Sequence, residues 1–127
     1  MSDYVLDASA LLALLNAEEG AEIVQDLMVN AVISAVNLAE VVTRLSAIGM
    51  PDNEIRETLA LLGLEAVPFD EEQAYQAGFL YPHVRHLGLS LGDRACLGLA
   101  QATASTVVTA DRSWKDLKLG IGIELIR

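Results

Sequence analysis

Carboxylates recur in this chain where an apolar run gives way to a helical pattern. Asp7 follows Tyr-Val-Leu and precedes ASALLALL, and Asp111 follows Val-Val-Thr-Ala and is succeeded at once by Arg112. Asp93 lies in SLGDRACLGLA, at the first turn of a long helical pattern, and Glu40 lies in ISAVNLAEVVTRL, one turn into another. Each acid has a local explanation. Asp7 suits a helix N-cap, Ser90 with Asp93 has capping-box spacing, Asn37 with Glu40 is similar, and Asp111 can close an Asx-turn. Capping accounts for one acid per helix, but it does not predict that four caps face one another. Carboxylates within about 4 to 6 Å of one another repel and raise one another's pKa. Helix N-termini offset only roughly 0.3 to 1 kcal/mol each. A divalent cation is the sufficient remedy, and oxygen-only ligands select a hard ion, Mg²⁺ or else Mn²⁺, over Zn²⁺. Such an ion lowers the pKa of bound water, polarises a phosphoryl oxygen and stabilises the leaving oxygen. The chemistry expected is phosphodiester hydrolysis without a protein nucleophile.

The elements that would deliver these acids are legible in the apolar pattern. Short apolar runs predict buried strands at 4–6, 31–34, 64–68, 106–109 and 122–126. Between them, helical spacing covers 9–16, 19–29, 36–48 (stopped by Gly49) and 52–62 (opened by Pro51 and ended by Gly63). Asp70 with Gln73 has capping-box spacing and starts a helix to about Tyr81. PHVRHLGLS reads as a loop, and a last long helix runs to about Ala104. Strands alternating with helices mean βαβ units and a mostly parallel sheet covered on both faces. In such sheets ligands bind at the carboxyl ends of the strands, and there all four acids fall.

The chain has 127 residues, of which 53% are hydrophobic and 20% charged, which suits one globular domain over 1–127. The first apolar run is broken by Asp7 and Ser9 well before the roughly 20 residues of a membrane span, so no membrane association is expected. Cys96 is the only cysteine, which excludes an intrachain disulfide and a Cys-based zinc site and fits a reducing cytoplasm. The net charge of −10 argues against broad attraction to nucleic acid. The distribution is more useful: residues 1–80 hold 14 acids and two bases, net −12, whereas 81–127 hold four acids and six bases, net +2. A polyanion path is therefore expected past Arg85, Arg94, Arg112, Lys115 and Lys118. Arg94 and Arg112 each follow a site acid and could hold a phosphate in bidentate fashion.

LDASALLALL, ISAVNLAEVVTRL, LSLGDRACLGLA and VVTADRSW resemble the successive motifs of PIN-domain ribonucleases, and specifically of the VapC-type toxins of bacterial and archaeal toxin–antitoxin pairs. The similarity covers nearly the whole chain in length, motif order and spacing. It implies a three-layer α/β/α fold and an endoribonuclease that hydrolyses RNA with a Mg²⁺-activated water. It makes Asp7, Glu40, Asp93 and Asp111 the acidic quartet around the metal, with Ser9 and Thr109 as small polar residues beside it. It further implies a homodimer held by a co-expressed antitoxin whose tail lies over the metal site. Four carboxylates in a cleft would accept an arginine of that tail in place of the cation. The acidic front portion would speed association with a basic chain.

Two other classes compete. A receiver-type phosphoacceptor domain would want two adjacent acids after the first strand, whereas Asp7 is followed by Ala8, and an aspartate-nucleophile phosphatase would want an acid where Ser9 stands. A non-catalytic PIN relative is the remaining alternative. His83 and His86 read as surface side chains, Cys96 as a buried apolar group, and Trp114 as a gap filler beside the terminal segment. Val24, Leu27, Met28, Leu59 and Leu62 form an apolar stripe suited to a core or a dimer face.

Overall fold

Residues 2–127 are described by a computed structural model. β1 (Tyr4–Leu6), β2 (Ala31–Ser34), β3 (Glu65–Val67), β4 (Thr106–Thr109) and β5 (Ile123–Leu125) form one sheet in the order β3-β2-β1-β4-β5. Every pairing in it is parallel. The register sets Val5 beside Val32 and Val107, and Leu6 beside Ile33 and Val108. Successive strand side chains point to opposite faces, so these two rows enter different apolar clusters. Leu6, Ile33 and Val108 join Leu11, Val24, Val41, Leu45 and Ile55. That cluster is covered by α1 (Ala8–Leu15), α2 (Ala21–Leu27), α3 (Ala35–Ala47) and α4 (Asp52–Leu62). Val5, Val32 and Val107 join Leu80, Cys96, Leu97, Leu99 and Trp114. Here the cover is α7 (Leu91–Thr103), with α5 (Glu71–Phe79) packed against it. The result is the three-layer α/β/α arrangement. Cys96 and Trp114 are buried, His83 and His86 are exposed, and burial pushes the Cys96 thiol well up. Of the apolar stripe, Val24 is core, while Leu27, Met28, Leu59 and Leu62 are half-buried against it.

Three local expectations need correction. The stretch 82–90 is not a plain loop: α6 (Tyr81–Val84) and a 3-10 turn at Arg85–Leu87 occupy most of it. Pro82 sits in the first turn of α6, where its missing N–H costs nothing and its fixed φ suits a helix. The helix expected over 19–29 is shorter, because Gly20 takes φ +95° at its N-cap and Met28–Asn30 tighten into a 3-10 turn. The strand expected as buried over 64–68 is an edge strand with Glu65 and Ala66 exposed. No described helix is long and apolar enough to cross a membrane.

Gly20 is also a close-approach point. A Cβ there would lie 2.4 Å from the Ile126 carbonyl oxygen, at a φ that other residues rarely adopt. Gly20→Ala should therefore cost roughly 1 to 3 kcal/mol in urea unfolding. Gly63→Ala, at φ +64° with open space around it, should carry the backbone cost alone. Equal losses at both positions would show that the Ile126 contact contributes nothing.

Candidate active site

The strand order makes β1 the centre of the sheet. The chain runs outward from it to β2 and β3, then returns on its other side to build β4 and β5. A crevice opens at such a reversal, outside the carboxyl ends of the strands. There a cleft of about 620 Å³ is lined by Asp7, Ser9, Asn37, Glu40, Asp93 and Asp111, among others. Asp7 comes directly from the end of β1, Glu40 from the second turn of α3 after β2, Asp93 from the first turn of α7, and Asp111 from just beyond β4. Thus the four acids do share one cavity.

Each carboxylate is also engaged locally. Asp7 is 6% exposed and caps α1: its Oδ1 accepts from the Ala10 N–H at 2.9 Å and the Ser9 hydroxyl at 2.7 Å, and its Oδ2 from the Thr109 hydroxyl at 2.5 Å. Ser9 Oγ in turn accepts from the Ala110 N–H at 2.9 Å, and Thr109 Oγ1 from the Asp111 N–H at 3.0 Å. This network fastens the end of β1 to the end of β4, and it places Ser9 and Thr109 directly on Asp7. Burial raises the Asp7 pKa; the three hydrogen bonds pull against that, and the negative charge of Asp93 adds to it. Asp93 and Ser90 form a reciprocal capping box, with bonds of 2.9 and 3.2 Å. Asp111 Oδ1 accepts from the Ser113 N–H at 3.0 Å and its hydroxyl at 2.7 Å. For Asp7, Asp93 and Asp111, local capping and a shared cleft therefore hold at once.

Asn37 is different: its spacing from Glu40 suggests a cap, but it does not cap α3. The cap of α3 is Ser34, whose Oγ accepts from the Val36 N–H at 3.2 Å. Asn37, 1% exposed, instead donates from Nδ2 to Glu40 Oε1 at 2.8 Å and to the Gly92 carbonyl at 3.0 Å, joining α3 to the start of α7. Gly92 completes the arrangement. A Cβ there would stand 2.5 Å from Glu40 Oε2, so only the bare backbone lets that carboxylate lie against the first turn of α7. The signal available in the sequence was a glycine inside a helical pattern beside a site acid.

Among the described residues, no three histidine, cysteine or acidic side chains converge closely enough to hold one ion as they lie. The donor set nonetheless fits a hard cation. It consists of carboxylate oxygens, the ligands a hard ion prefers.

Basic residues expected along a substrate path lie elsewhere. Arg94 turns toward α5, donating to the Ala77 carbonyl at 3.1 Å and lying 5.3 Å from the Tyr81 ring centre, so it does not hold a ligand beside Asp93. Arg112 donates to the Arg127 carbonyl at 3.1 Å. Arg85, Lys115 and Lys118 are exposed, and none of these five lines the cleft. The basic residue that does line it is Arg44.

Two stability measurements in chelator check this geometry. Asn37→Ala should cost roughly 1 to 3 kcal/mol by stranding the Gly92 carbonyl. Asn37→Asp should cost more, because it adds a carboxylate beside Glu40 and removes both donated bonds; equal losses would show that charge at this point is unimportant. Asp7→Asn should raise the Tm of the metal-free protein at neutral pH. A raised pKa means the native state resists ionisation, so wild-type stability is full at low pH and falls as pH climbs through the raised value. The advantage of Asp7→Asn should accordingly vanish in acid, and a variant less stable than wild type at neutral pH would mean capping outweighs repulsion.

No curated protein matched the sequence. The fold resembles that in the crystal structure of DNA-bound VapBC from Salmonella typhimurium, at TM-score 0.78 and 21% identity over 100% of both chains. It also resembles a toxin–antitoxin complex from Klebsiella pneumoniae, at TM-score 0.72 and 20% identity over 98% of each chain. A third likeness is to VapBC-5 from Mycobacterium tuberculosis, a member of the VapBC family of toxin–antitoxin systems, at TM-score 0.57 and 24% identity over 98% of each. The family model for the PIN domain matches residues 4–119, which spans every element but β5 and includes all four cleft acids; the chain belongs to the PIN domain family.

Proposed function

We propose that this chain is a divalent-metal-dependent endoribonuclease of the VapC type, the toxin of a toxin–antitoxin pair. The observation that carries this reading is the meeting of Asp7, Glu40, Asp93 and Asp111 in one cleft at the reversal point of a PIN-domain sheet. These four would hold Mg²⁺, or Mn²⁺, by oxygen alone. When bound, the ion supplies an acidified water and neutralises charge at the phosphoryl group. The chain's own contribution is positioning. Ser9 and Thr109 fix the Asp7 carboxylate, Asn37 fixes Glu40, Ser90 fixes Asp93 and Ser113 fixes Asp111. Buried Asp7 is shielded from water, which strengthens its attraction for a cation. RNA is the proposed substrate, approaching over the less acidic 81–127 portion with exposed Arg85, Lys115 and Lys118 as outer contacts.

The proposed partner is a cognate antitoxin bound to a toxin homodimer. It is supported by the likeness to chains from VapBC and toxin–antitoxin complexes and by the chemistry of the cleft. Arginine is always charged and binds two oxygens at once, so an antitoxin arginine would satisfy these carboxylates as a cation does. The competing reading is a non-catalytic PIN domain carrying the same acids.

One assay decides between them. The chain, purified free of partner, should cut total cellular RNA with Mg²⁺ and not with EDTA. Asp7→Asn and Asp93→Asn should fold but lose activity beyond the roughly 10- to 100-fold typical of groups that only support a metal's ligands. Cleavage surviving in both variants would show that the cleft is not the site.

A further inference from the structure

The acidic cleft has a neighbour. A second cavity of about 300 Å³ adjoins it, and Ser9, Leu12 and Arg44 line both. Arg44 thus stands on the ridge between them. It lies four residues beyond Glu40 in α3, about 6 Å along the same helix face. The second cavity also contains Arg127, but that guanidinium is committed to Glu18 at 3.0 Å. Among the described residues Arg44 forms no ion pair, although four carboxylates share the first cavity with it. The remaining walls of the second cavity include the apolar Leu12, Leu45 and Ile48 and the amide of Asn16. Ile48 is 74% exposed, an apolar side chain left facing solvent at the cavity's rim.

We infer that Arg44 is a substrate-positioning residue: it holds the phosphate adjoining the one in the acidic cleft, while the second cavity seats the neighbouring nucleoside. The inference rests on the ribonuclease reading and adds the direction of the strand. An acidic cleft repels a polyanion, so a nucleic-acid chain passing through it gains from an unpaired cation one phosphate away. A guanidinium suits that place because it binds two phosphate oxygens in a planar fork. The apolar wall then meets a base or ribose face, and Asn16 offers it a hydrogen-bonding edge. A purely structural account of Arg44 exists, since a cation in the last turn of α3 complements the helix dipole. The two accounts diverge in salt dependence and in the split between KM and kcat.

The test uses the free chain with Mg²⁺, a mixed-sequence pool of short single-stranded RNA for binding, and total cellular RNA for cleavage. Arg44→Ala should weaken binding about tenfold. It should also flatten the log-log salt slope by about 0.7 and raise KM with kcat little changed. Arg44→Lys should regain the slope but only part of the affinity, having the charge without the fork. Arg56→Ala removes an equal charge from exposed α4 and should change none of these. Wild-type cleavage with an unchanged slope and KM in Arg44→Ala would overturn the role of Arg44 and leave the ribonuclease reading standing. Equal effects from Arg56→Ala would overturn it too, by assigning the change to net charge. A wild-type chain that neither binds nor cuts RNA would overturn both readings together.

Discussion

A single buried carboxylate organises the centre of this protein. Asp7 ends the middle strand, caps the helix that follows, and accepts a hydrogen bond from Thr109 at the end of the adjoining strand. Burying a charge is unfavourable unless donors surround it, and here the backbone N–H of Ala10 and the hydroxyls of Ser9 and Thr109 do so. Those same donors bind Ala110 and Asp111 through their own oxygens, so the path of the chain leaving β4 is set by the group that Asp7 needs. Helix start and cleft wall are therefore joined by one requirement: that this carboxylate be satisfied without a permanent positive partner.

The other acids repeat the arrangement with local means. Ser90 holds Asp93 and Ser113 holds Asp111, each from within the same turn, while Asn37 holds Glu40 and reaches across to α7. A hydrogen bond that serves a helix end thus also orients a group toward the cavity. This fixes the carboxylates before any ligand arrives, which lowers the ordering cost of binding. The tension lies in mutual repulsion, felt at Asp7 as the charge of Asp93.

Much of this was legible in the sequence because it follows from local rules. The central apolar runs 4–6, 31–34 and 106–109 read as covered strands, and the acids just past the first and last of them, Asp7 and Asp111, fall at the sheet's carboxyl edge. Two kinds of feature were not legible. Asn37 shows the first: its spacing from Glu40 imitates a cap, and only the long-range bond to Gly92, fifty-five positions away, shows that it braces two helices. Arg94 shows the second. Adjacency to Asp93 suggested a shared ligand, but neighbours in a helix point about 100° apart, and Arg94 faces α5 instead. Arg44 was passed over for the converse reason. It belongs to the most acidic part of the chain, and net charge by segment conceals which side chains line a cavity.

The Thr109–Asp7 bond joins groups 102 positions apart, and β1 is flanked on one side by a strand made long after it. A chain emerging from the ribosome can therefore assemble α1, β2 and α3, with Asp7 and Glu40, but the sheet's centre stays open until residues 106–109 arrive. Asp111 comes after even those. The cleft therefore needs Asp111 as well as Asp7, and pairings this distant in sequence form slowly. Until β4 docks, the acids of β1 and α3 lack the cleft wall that Asp111 completes, and that interval is set by topology alone.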